Sequence, residues 1–374
     1  MEYKEYELGE LLSYEQPTPY IVESTDYNDA YGTPVLTAGK SFILGYTDEK
    51  EGIYDQLPVI IFDDFTTASQ YVNFKFKVKS SAMKILTPVT ELVLPKYIYY
   101  RMQIINFDHS THKRYWIQQY SKIKVSVPPL PEQERIVSRI EELFSQLDAG
   151  VETLKKTKAQ LAVYRQAVLK EAFSCCAEKK SIREMSSIVT SGSRGWAKYY
   201  CDNGAKFIRI GNLTRNKIYI DLDDIQHVQL PDKAEGTRTK LAPNDVLVSI
   251  TADLGSIGLV PNGIGEAYVN QHIAMIRFNN QMQGEFYAWY LRSEYGQQDL
   301  LRNKRGGGKL GLGLDDIRDS RVPVVSNETA ESILSIIECR LSVCDSIEHT
   351  VDLALQQAEA MRQSILKDAF EGKL

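Results

Sequence analysis

The sequence predicts an α+β fold, in which two mixed α/β globules alternate with two long helices. The first observation is a repeat: YRQAVLKEAF, which ends at Phe173, recurs as MRQSILKDAF, which ends at Phe370, 197 positions later. The second is that apolar residues recur at helical spacing through the segment before each copy. The third is that the segments before these helices are rich in Tyr, Val, Ile and Gly and contain short runs typical of strands.

The repeat predicts the domain organisation. Its period far exceeds the roughly 20–50 residues of a solenoid unit, so it indicates duplication of a half-protein that ends in a long helix. We predict, in chain order, a first globule, a first helix, a linker, a second globule and a second helix, at residues 1–130, 131–173, 174–180, 181–325 and 326–374.

Short patterned runs predict the elements of each globule. In the first globule, PVIIF and YVNFKFKV predict strands, and LPKYIYYRMQII predicts a helix. In the second, KFIRI, NDVLVSI and HIAMIRF predict strands, and GEFYAWYLRSEYG predicts a helix. Both globules are therefore expected to be mixed α/β domains.

Each long helix carries a narrow apolar stripe, which is typical of a coiled coil. A helix of about 65 Å with one such stripe needs a partner, and the other copy supplies one. Lys158 interrupts the first stripe at the position where Leu355 continues the second. The residues predicted to pair the helices are Ile136, Ile140, Leu147, Val151 and Leu161 on the first and Ile333, Ile337, Leu355 and Ile365 on the second.

The starts of both helices carry capping signals. Pro131 and Glu132 place a proline and an acid in the first turn of the first helix. At the second helix, either Ser326 or Asn327 is a suitable N-cap residue. These signals concern structure and imply no chemistry.

Composition narrows the class of protein. No apolar run approaches the roughly 18 residues of a membrane span, and the first ten residues, MEYKEYELGE, are unlike a signal peptide. The five cysteines lack metal-binding spacing and fit reduced thiols. We therefore expect a cytoplasmic protein without a membrane partner.

Charge is distributed unevenly along the chain. The net charge is −5 overall, but residues 1–70 carry −11, residues 71–124 carry +8 and residues 194–217 carry +5. Such asymmetry favours a charged binding face. The alternative is an ordinary solvated surface.

Signatures of catalysis are absent. RGGGK at 305–309 is not a phosphate-binding P-loop, and the paired carboxylates of FDDF at 62–65 have no lysine at nuclease spacing. His109 and His112 lack the further ligands that a metal site needs. The sequence therefore predicts a protein without an active site or a bound metal.

Several basic stretches suit contact with DNA. Lys75, Lys77 and Lys79 alternate along a predicted strand, so all three are expected on one face, where they could neutralise phosphates. Arg194 lies in a glycine loop, where a guanidinium can meet a phosphate or a guanine edge. For each stretch the alternative is an exposed loop or solvated strand face. The further candidates are Lys113 and Arg114, Arg209 and Arg215 in the basic stretch 194–217, and Lys304, Arg305 and Lys309.

Four segments resemble parts of one known family. PPLPEQERIVSRIEELFSQLD is similar to that family's central spacer, and ILKDAFEGKL is similar to its C-terminus. NDVLVSITADLGSIGLV followed by AYVNQHIAMIRF resembles the core of its recognition domains, and PVLTAGKSFILGY with PVIIFDDF resembles the counterpart in the first domain. One departure is VPVVSNETAES, where the first copy has the fuller Pro-Leu-Pro-Glu-Gln-Glu form. The family is that of the specificity subunits of Type I restriction–modification systems.

The resemblance implies that both globules are target recognition domains, each reading half of a split site in double-stranded DNA. It implies that the long helices pack antiparallel, in a pseudo-twofold arrangement, and act as a ruler. It also implies two modification subunits, which methylate adenine with S-adenosylmethionine, and restriction subunits that form a nuclease dependent on ATP and Mg²⁺. The chain itself is expected to bind no cofactor.

Two other function classes stay open at this point. A coiled-coil protein-interaction scaffold without DNA binding would leave the positive stretch at 71–124 unexplained. An enzyme with an unrecognised site is disfavoured by the missing motifs.

Overall fold

The computed structural model describes residues 3–39, 41–108, 113–215, 217–230, 238–302 and 311–374. The chain divides into two compact units. The first comprises residues 1–155 and 352–374, and the second comprises residues 156–351. Each unit therefore combines one globule with part of both long helices, and the domain boundaries given above stay a prediction.

The first unit is built on small sheets of short strands. Its strands are β1 (Lys4–Glu7), β2 (Leu12–Glu15), β3 (Thr33–Leu36), β4 (Ile43–Thr47), β5 (Val59–Asp63), β6 (Ser69–Val72), β7 (Lys77–Val78), β8 (Met83–Pro88) and β9 (Lys124–Val127). Its helices are α1 (Leu8–Leu11), α2 (Pro95–Met102), the first part of α3 (Leu130–Phe173) and the last part of the second long helix, α8 (Asn327–Phe370). The sheet orders are β2-β8-β5-β6, β4-β3-β7 and the pair β1-β9.

The second unit repeats this plan. Its strands are β10 (Lys179–Ser181), β11 (Ser186–Ser191), β12 (Tyr200–Cys201), β13 (Ala205–Ile208), β14 (Gln226–Val228), β15 (Val246–Ser249), β16 (Ile257–Leu259), β17 (Ala267–Val269), β18 (Ile273–Phe278) and β19 (Arg321–Pro323). Its helices are α4 (Ile182–Met185), α5 (Gly284–Arg292), α6 (Glu294–Leu301), α7 (Leu314–Asp319) and part of α8 (Asn327–Phe370).

Strand order is the same in the two globules. The sheet β11-β18-β15-β16 matches β2-β8-β5-β6, and the pair β10-β19 matches β1-β9. The strands β14-β13-β17 match β4-β3-β7, with β12 added at one edge. The pairs β3–β7 and β13–β17 are both parallel. The duplication detected in the helices therefore extends through both globules.

The long helices run antiparallel within each unit, and one ion pair is made twice. In the first unit, Arg362 on α8 pairs with Asp148 on α3. In the second, Arg165 on α3 pairs with Asp345 on α8 at 2.6 Å. The two arginines are 197 positions apart, as are the two aspartates. The repeat in sequence is thus also a repeat of contacts.

The helices are fastened to their globules by an equivalent aromatic pair. Tyr97 on α2 packs on Phe370 at a centroid distance of 5.3 Å, and Phe286 on α5 packs on Phe173 at 5.4 Å. Phe173 and Phe370 are the last residues of the repeated decapeptide. The structure therefore gives this part of the repeat a role in packing.

The predicted helix stripe is covered by the globules as well as by the other helix. Ile136 and Ile140 belong to one buried cluster with Leu8 and Leu366. Ile333 and Ile337 belong to another, which includes Leu161, and Leu147, Val151, Leu355 and Ile365 are half-buried. The stripe therefore packs against the globules as well as against the other helix.

The fold class is confirmed, with two local corrections. YVNFKFKV is not one strand, because β6 ends at Val72 and β7 begins at Lys77 in a different sheet. GEFYAWYLRSEYG is not one helix, because Ser293 has an extended ψ of 162°, ends α5 and caps α6 through a bond from the Gly296 amide. At the start of α8, Ser326 is the capping residue, since its Oγ accepts from the Thr329 amide at 3.1 Å. In the ranges described, no helix is long and apolar enough to span a bilayer.

Candidate DNA-recognition surface

The lysines at 75, 77 and 79 do not share a face, so this expectation was wrong. Lys77 is buried, 2.7 Å from Glu49 Oε2, and its Nζ donates to the Glu51 carbonyl oxygen at 2.7 Å. Lys75 and Lys79 are exposed, and Lys75 lies 3.5 Å from Asp55. Strict alternation fails because the chain changes sheets between β6 and β7, and Phe76, Lys77 and Val78 are all buried in succession.

Lys113 and Arg114 are exposed beside a buried anchor. The backbone amides of Tyr115 and Trp116 donate to Asp64, at 2.9 Å to its carbonyl oxygen and 2.7 Å to its carboxylate. The Arg114 guanidinium carbon lies 6.0 Å from the centre of the Phe65 ring. This part of the chain therefore holds its two cations at the surface on a fixed backbone.

Asp64 has a buried partner that sequence reasoning missed. Lys84 Nζ lies 3.3 Å from Asp64 Oδ2, and both side chains are 1% exposed. Asp63 instead accepts from the amides of Phe65 and Thr66 and shapes the turn after β5. The paired carboxylates of FDDF thus have structural roles. The sequence signal for this ion pair was a lysine within the apolar strand β8, next to the strand that precedes Asp64.

In the second unit, Arg194 lies at the tip of a loop held at both ends. Gly192 leaves no room for a Cβ, which would lie 2.0 Å from the Val269 carbonyl oxygen, and Gly195 has a left-handed φ of 83°. Trp196 is buried and stacks on Phe207 at 5.0 Å. Arg194 is exposed between these anchors. The glycines therefore serve close backbone approach and a left-handed turn, and they present the guanidinium to solvent.

Arg209 and Arg215 are already paired with carboxylates. Arg209 lies 3.8 Å from Asp224, and Arg215 lies 2.6 Å from Asp253. The hydrogen bond from Arg215 holds the pKa of the Asp253 carboxyl below its usual value. These two cations are less available for phosphate than Arg194. Lys304, Arg305 and Lys309, like His109 and His112, lie outside the described residues.

Within the part of the chain that the structure describes, no group of at least 3 His, Cys, Asp or Glu side chains is placed to hold a metal ion. The surface candidates are cations, exposed loops and glycine turns, which suit recognition of a polyanion.

Comparison with known proteins agrees with this geometry. The family model for the Type I restriction modification DNA specificity domain matches residues 1–162 and again residues 177–357. The chain belongs to this family. The double match coincides with the duplicated strand order, so the repeated unit of the structure is the repeated domain of the family.

Individual relatives point the same way. The specificity subunit of the Type I restriction enzyme EcoR124I/EcoR124II of Escherichia coli is 32% identical over 386 residues, covering 95% of this chain and 92% of that subunit. The EcoBI specificity subunit of Escherichia coli is 26% identical over 278 residues, covering 66% and 58%. A solved chain from a study of complex assembly and conformational transition of the type I R-M system has a TM-score of 0.70 at 16% identity, covering 100% and 98%.

Proposed function

We propose that this chain is the non-catalytic specificity subunit of a Type I restriction–modification enzyme. Residues 1–130 and 181–325 are its two target recognition domains, and each reads half of a split site in double-stranded DNA. The observation that carries this proposal is the double match to a DNA specificity domain, made on two globules with the same strand order. A protein with two such domains suits a bipartite site, because the frame that joins the domains limits which half-site spacings they can span.

DNA contact is assigned to the exposed cations. Lys75, Lys79, Lys113 and Arg114 in the first unit neutralise phosphates, which dominate affinity. Arg194 in the second unit reaches a phosphate or a base edge from its glycine loop. Lys77 is withdrawn from this set, because its ammonium is buried against Glu49.

The modification subunits dock on the long helices. Ile336, Val343 and Ile347 on α8 are 47%, 56% and 40% exposed and lie on one face at spacings of seven and four. Tyr164 and Met361 hold the same position in the two repeats and are 49% and 53% exposed. An exposed apolar side chain at the repeated position of Tyr164 and Met361 suits two copies of one partner. S-adenosylmethionine, ATP and Mg²⁺ are then used by partner subunits in the cytoplasm.

The alternative is a coiled-coil scaffold without a DNA role. It accounts for the exposed apolar residues of the helices. It gives no reason for a DNA specificity domain to match each globule, so the recognition proposal is preferred.

The proposal is tested by mapping methylated adenines. The modification subunit is expressed with and without this chain, and the DNA is sequenced for methylation. We expect one bipartite motif to be methylated only when both proteins are present. The purified chain alone, supplied with S-adenosylmethionine, ATP and Mg²⁺, should neither methylate nor cut DNA. Intrinsic turnover, or no motif with both proteins present, would contradict the proposal.

A further inference from the structure

The same cavity occurs in both units, where the domain helix meets the long helices. In the first unit it occupies about 560 Å³, and in the second about 240 Å³. Helices α2 and α5 are equivalent in the two units, because Tyr97 on α2 and Phe286 on α5 pack on the equivalent residues Phe370 and Phe173. Corresponding lining residues are then Tyr100 and Trp289, Gln103 and Arg292, and Arg362 and Arg165.

The two cavities have opposite charge. In the first unit, Glu141, Asp148 and Glu359 surround the single lining cation Arg362. In the second, four cations and one acid line the space: Lys158, Arg165, Arg215, Arg292 and Glu348. The two cavities therefore lie at equivalent places between the helices, but they differ in volume and in charge.

Three of the four cations have carboxylate partners. Arg165 lies 2.6 Å from Asp345 and 2.9 Å from Glu348. Lys158 also approaches Glu348, at 3.7 Å, and Arg215 lies 2.6 Å from Asp253. The acids near this cavity are thus engaged by these three residues.

Arg292 is the exception. Among the described residues its contacts are a hydrogen bond to the Lys217 carbonyl oxygen at 2.8 Å and the face of Trp289 at 5.6 Å. Burial, together with the nearby charges of Arg165 and Arg215, lowers the pKa of its guanidinium to about 10. A half-buried cation without a counter-charge is unfavourable. A bound anion would relieve it.

We propose that this cavity of the second unit is a binding site for a phosphate group, held chiefly by Arg292. The planar guanidinium offers paired N–H donors that match phosphate oxygens. A neighbouring cavity of about 380 Å³ shares Arg215 and Arg292 and adds the side chains of Thr214, Ser256 and Gln297. The acid that lines it, Glu294, is paired with Lys170 at 3.0 Å. Hydroxyl and amide groups there can bind further phosphate oxygens.

The phosphate can come from two sources, a free phosphate ion or the backbone of DNA. The site does not rest on the proposed function, because inorganic phosphate alone can test it. The DNA arm of the experiment distinguishes the sources.

The first arm measures binding of inorganic phosphate to the full-length chain, by calorimetry and by the rise in Tm, at ionic strength held constant with chloride. We expect a rise in Tm, since a ligand that binds the folded state stabilises it. Arg292→Gln should weaken phosphate binding by about tenfold or more. Arg292→Lys keeps the charge but loses the paired donors, so it should bind phosphate with intermediate affinity.

Matched variants separate a specific site from general charge. Arg183→Gln removes one exposed arginine on α4, which pairs with Asp315 and Asp319, and should leave phosphate binding unchanged. Gln103→Arg places the arginine in the first cavity, where Glu141, Asp148 and Glu359 should prevent a phosphate site. A wild-type chain that shows no phosphate response, or an Arg292→Gln variant that responds equally, overturns the site.

The second arm measures DNA binding by the chain with its modification subunits over a range of salt. If the phosphate belongs to DNA, Arg292→Gln should lower the log–log salt slope by about one, and inorganic phosphate should compete with DNA. If Arg292→Gln loses phosphate binding but keeps the DNA salt slope of the wild type, the ligand of the site is the free phosphate ion. A chain that binds phosphate but no DNA would refute the proposed function and leave the site standing.

Discussion

In the first unit, a residue of the long helix fastens that helix to its globule. Gln133 accepts from the Leu94 amide at 2.8 Å and donates to the carbonyl oxygens of Leu92 and Pro128. In the second unit the repeat places Ala330 at this position, and the globule supplies the glutamine instead: Gln283 donates to Val325 O and to Asn327 Oδ1. In the segment VPVVSNETAES, the contact between helix and globule is therefore retained, but the glutamine that makes it comes from the globule and not from the helix.

The buried ion pairs show a second contrast. In the first unit, Asp64 and Lys84 are both 1% exposed. In the second, Asp245 is 1% exposed, but its partner Arg277 is 21% exposed at a distance of 2.6 Å. The two units thus share a strand order but differ in the burial of their ion pairs. Removing the aspartate of each pair should therefore reduce stability by different amounts.

The largest expected effect is on the stability of the first unit. Asp64→Ala leaves the Lys84 ammonium buried, and among the described residues its remaining partner is Gln16 Oε1 at 2.9 Å. We expect a loss of about 3–5 kcal/mol in the free energy of unfolding, measured by urea denaturation followed by circular dichroism. Asp245→Ala should cost less, about 1–3 kcal/mol, because Arg277 can reach water. Equal losses would show that the contrast in burial has no energetic consequence.

A smaller effect is expected when one helix replaces the other. A fragment of residues 1–180 should dimerise through two antiparallel copies of α3, because Arg165 of one copy can meet Asp148 of the second copy as it meets Asp345 in the intact chain. Lys158 would lose Glu348 and face Val151 instead. Lys158→Leu should therefore tighten the dimer, by up to about 1 kcal/mol because this lysine is 42% exposed.

Sedimentation of the fragment at increasing concentration measures this equilibrium, with Lys155→Leu as a control of equal composition. A fragment that stays monomeric even with Lys158→Leu would show that the helices are not interchangeable. With modification subunits, the symmetric dimer should methylate a palindromic split site.

The smallest expected effect is on DNA affinity. Lys79→Ala in the first unit and Arg194→Ala in the second should each lower the log–log salt slope by about one. Lys77→Ala should leave the slope unchanged, because its ammonium pairs with Glu49 inside the globule. A lowered slope for Lys77→Ala, with Lys79→Ala unaffected, would reverse the assignment.

Sequence reasoning predicted the fold class and the repeat because helical spacing and duplicated segments are local signals. It failed at Lys77, since alternation predicts a common face only while the strand continues, and this one is interrupted between Val72 and Lys77. Arg292 was missed because the excess of positive charge around it arises only in three dimensions, where α3, α5 and the loop that holds Arg215 meet. Aligning LPKYIYYRMQ with GEFYAWYLR would have set it opposite Gln103.

We propose that the two recognition domains read DNA independently of one another. The most direct measurement replaces residues 181–325 with the second recognition domain of another family member and sequences the methylated adenines made with the modification subunits. We expect one half of the motif to change, while the other half and the spacer between them stay the same. A change in both halves, or in the spacer alone, would show that the two domains do not read DNA independently.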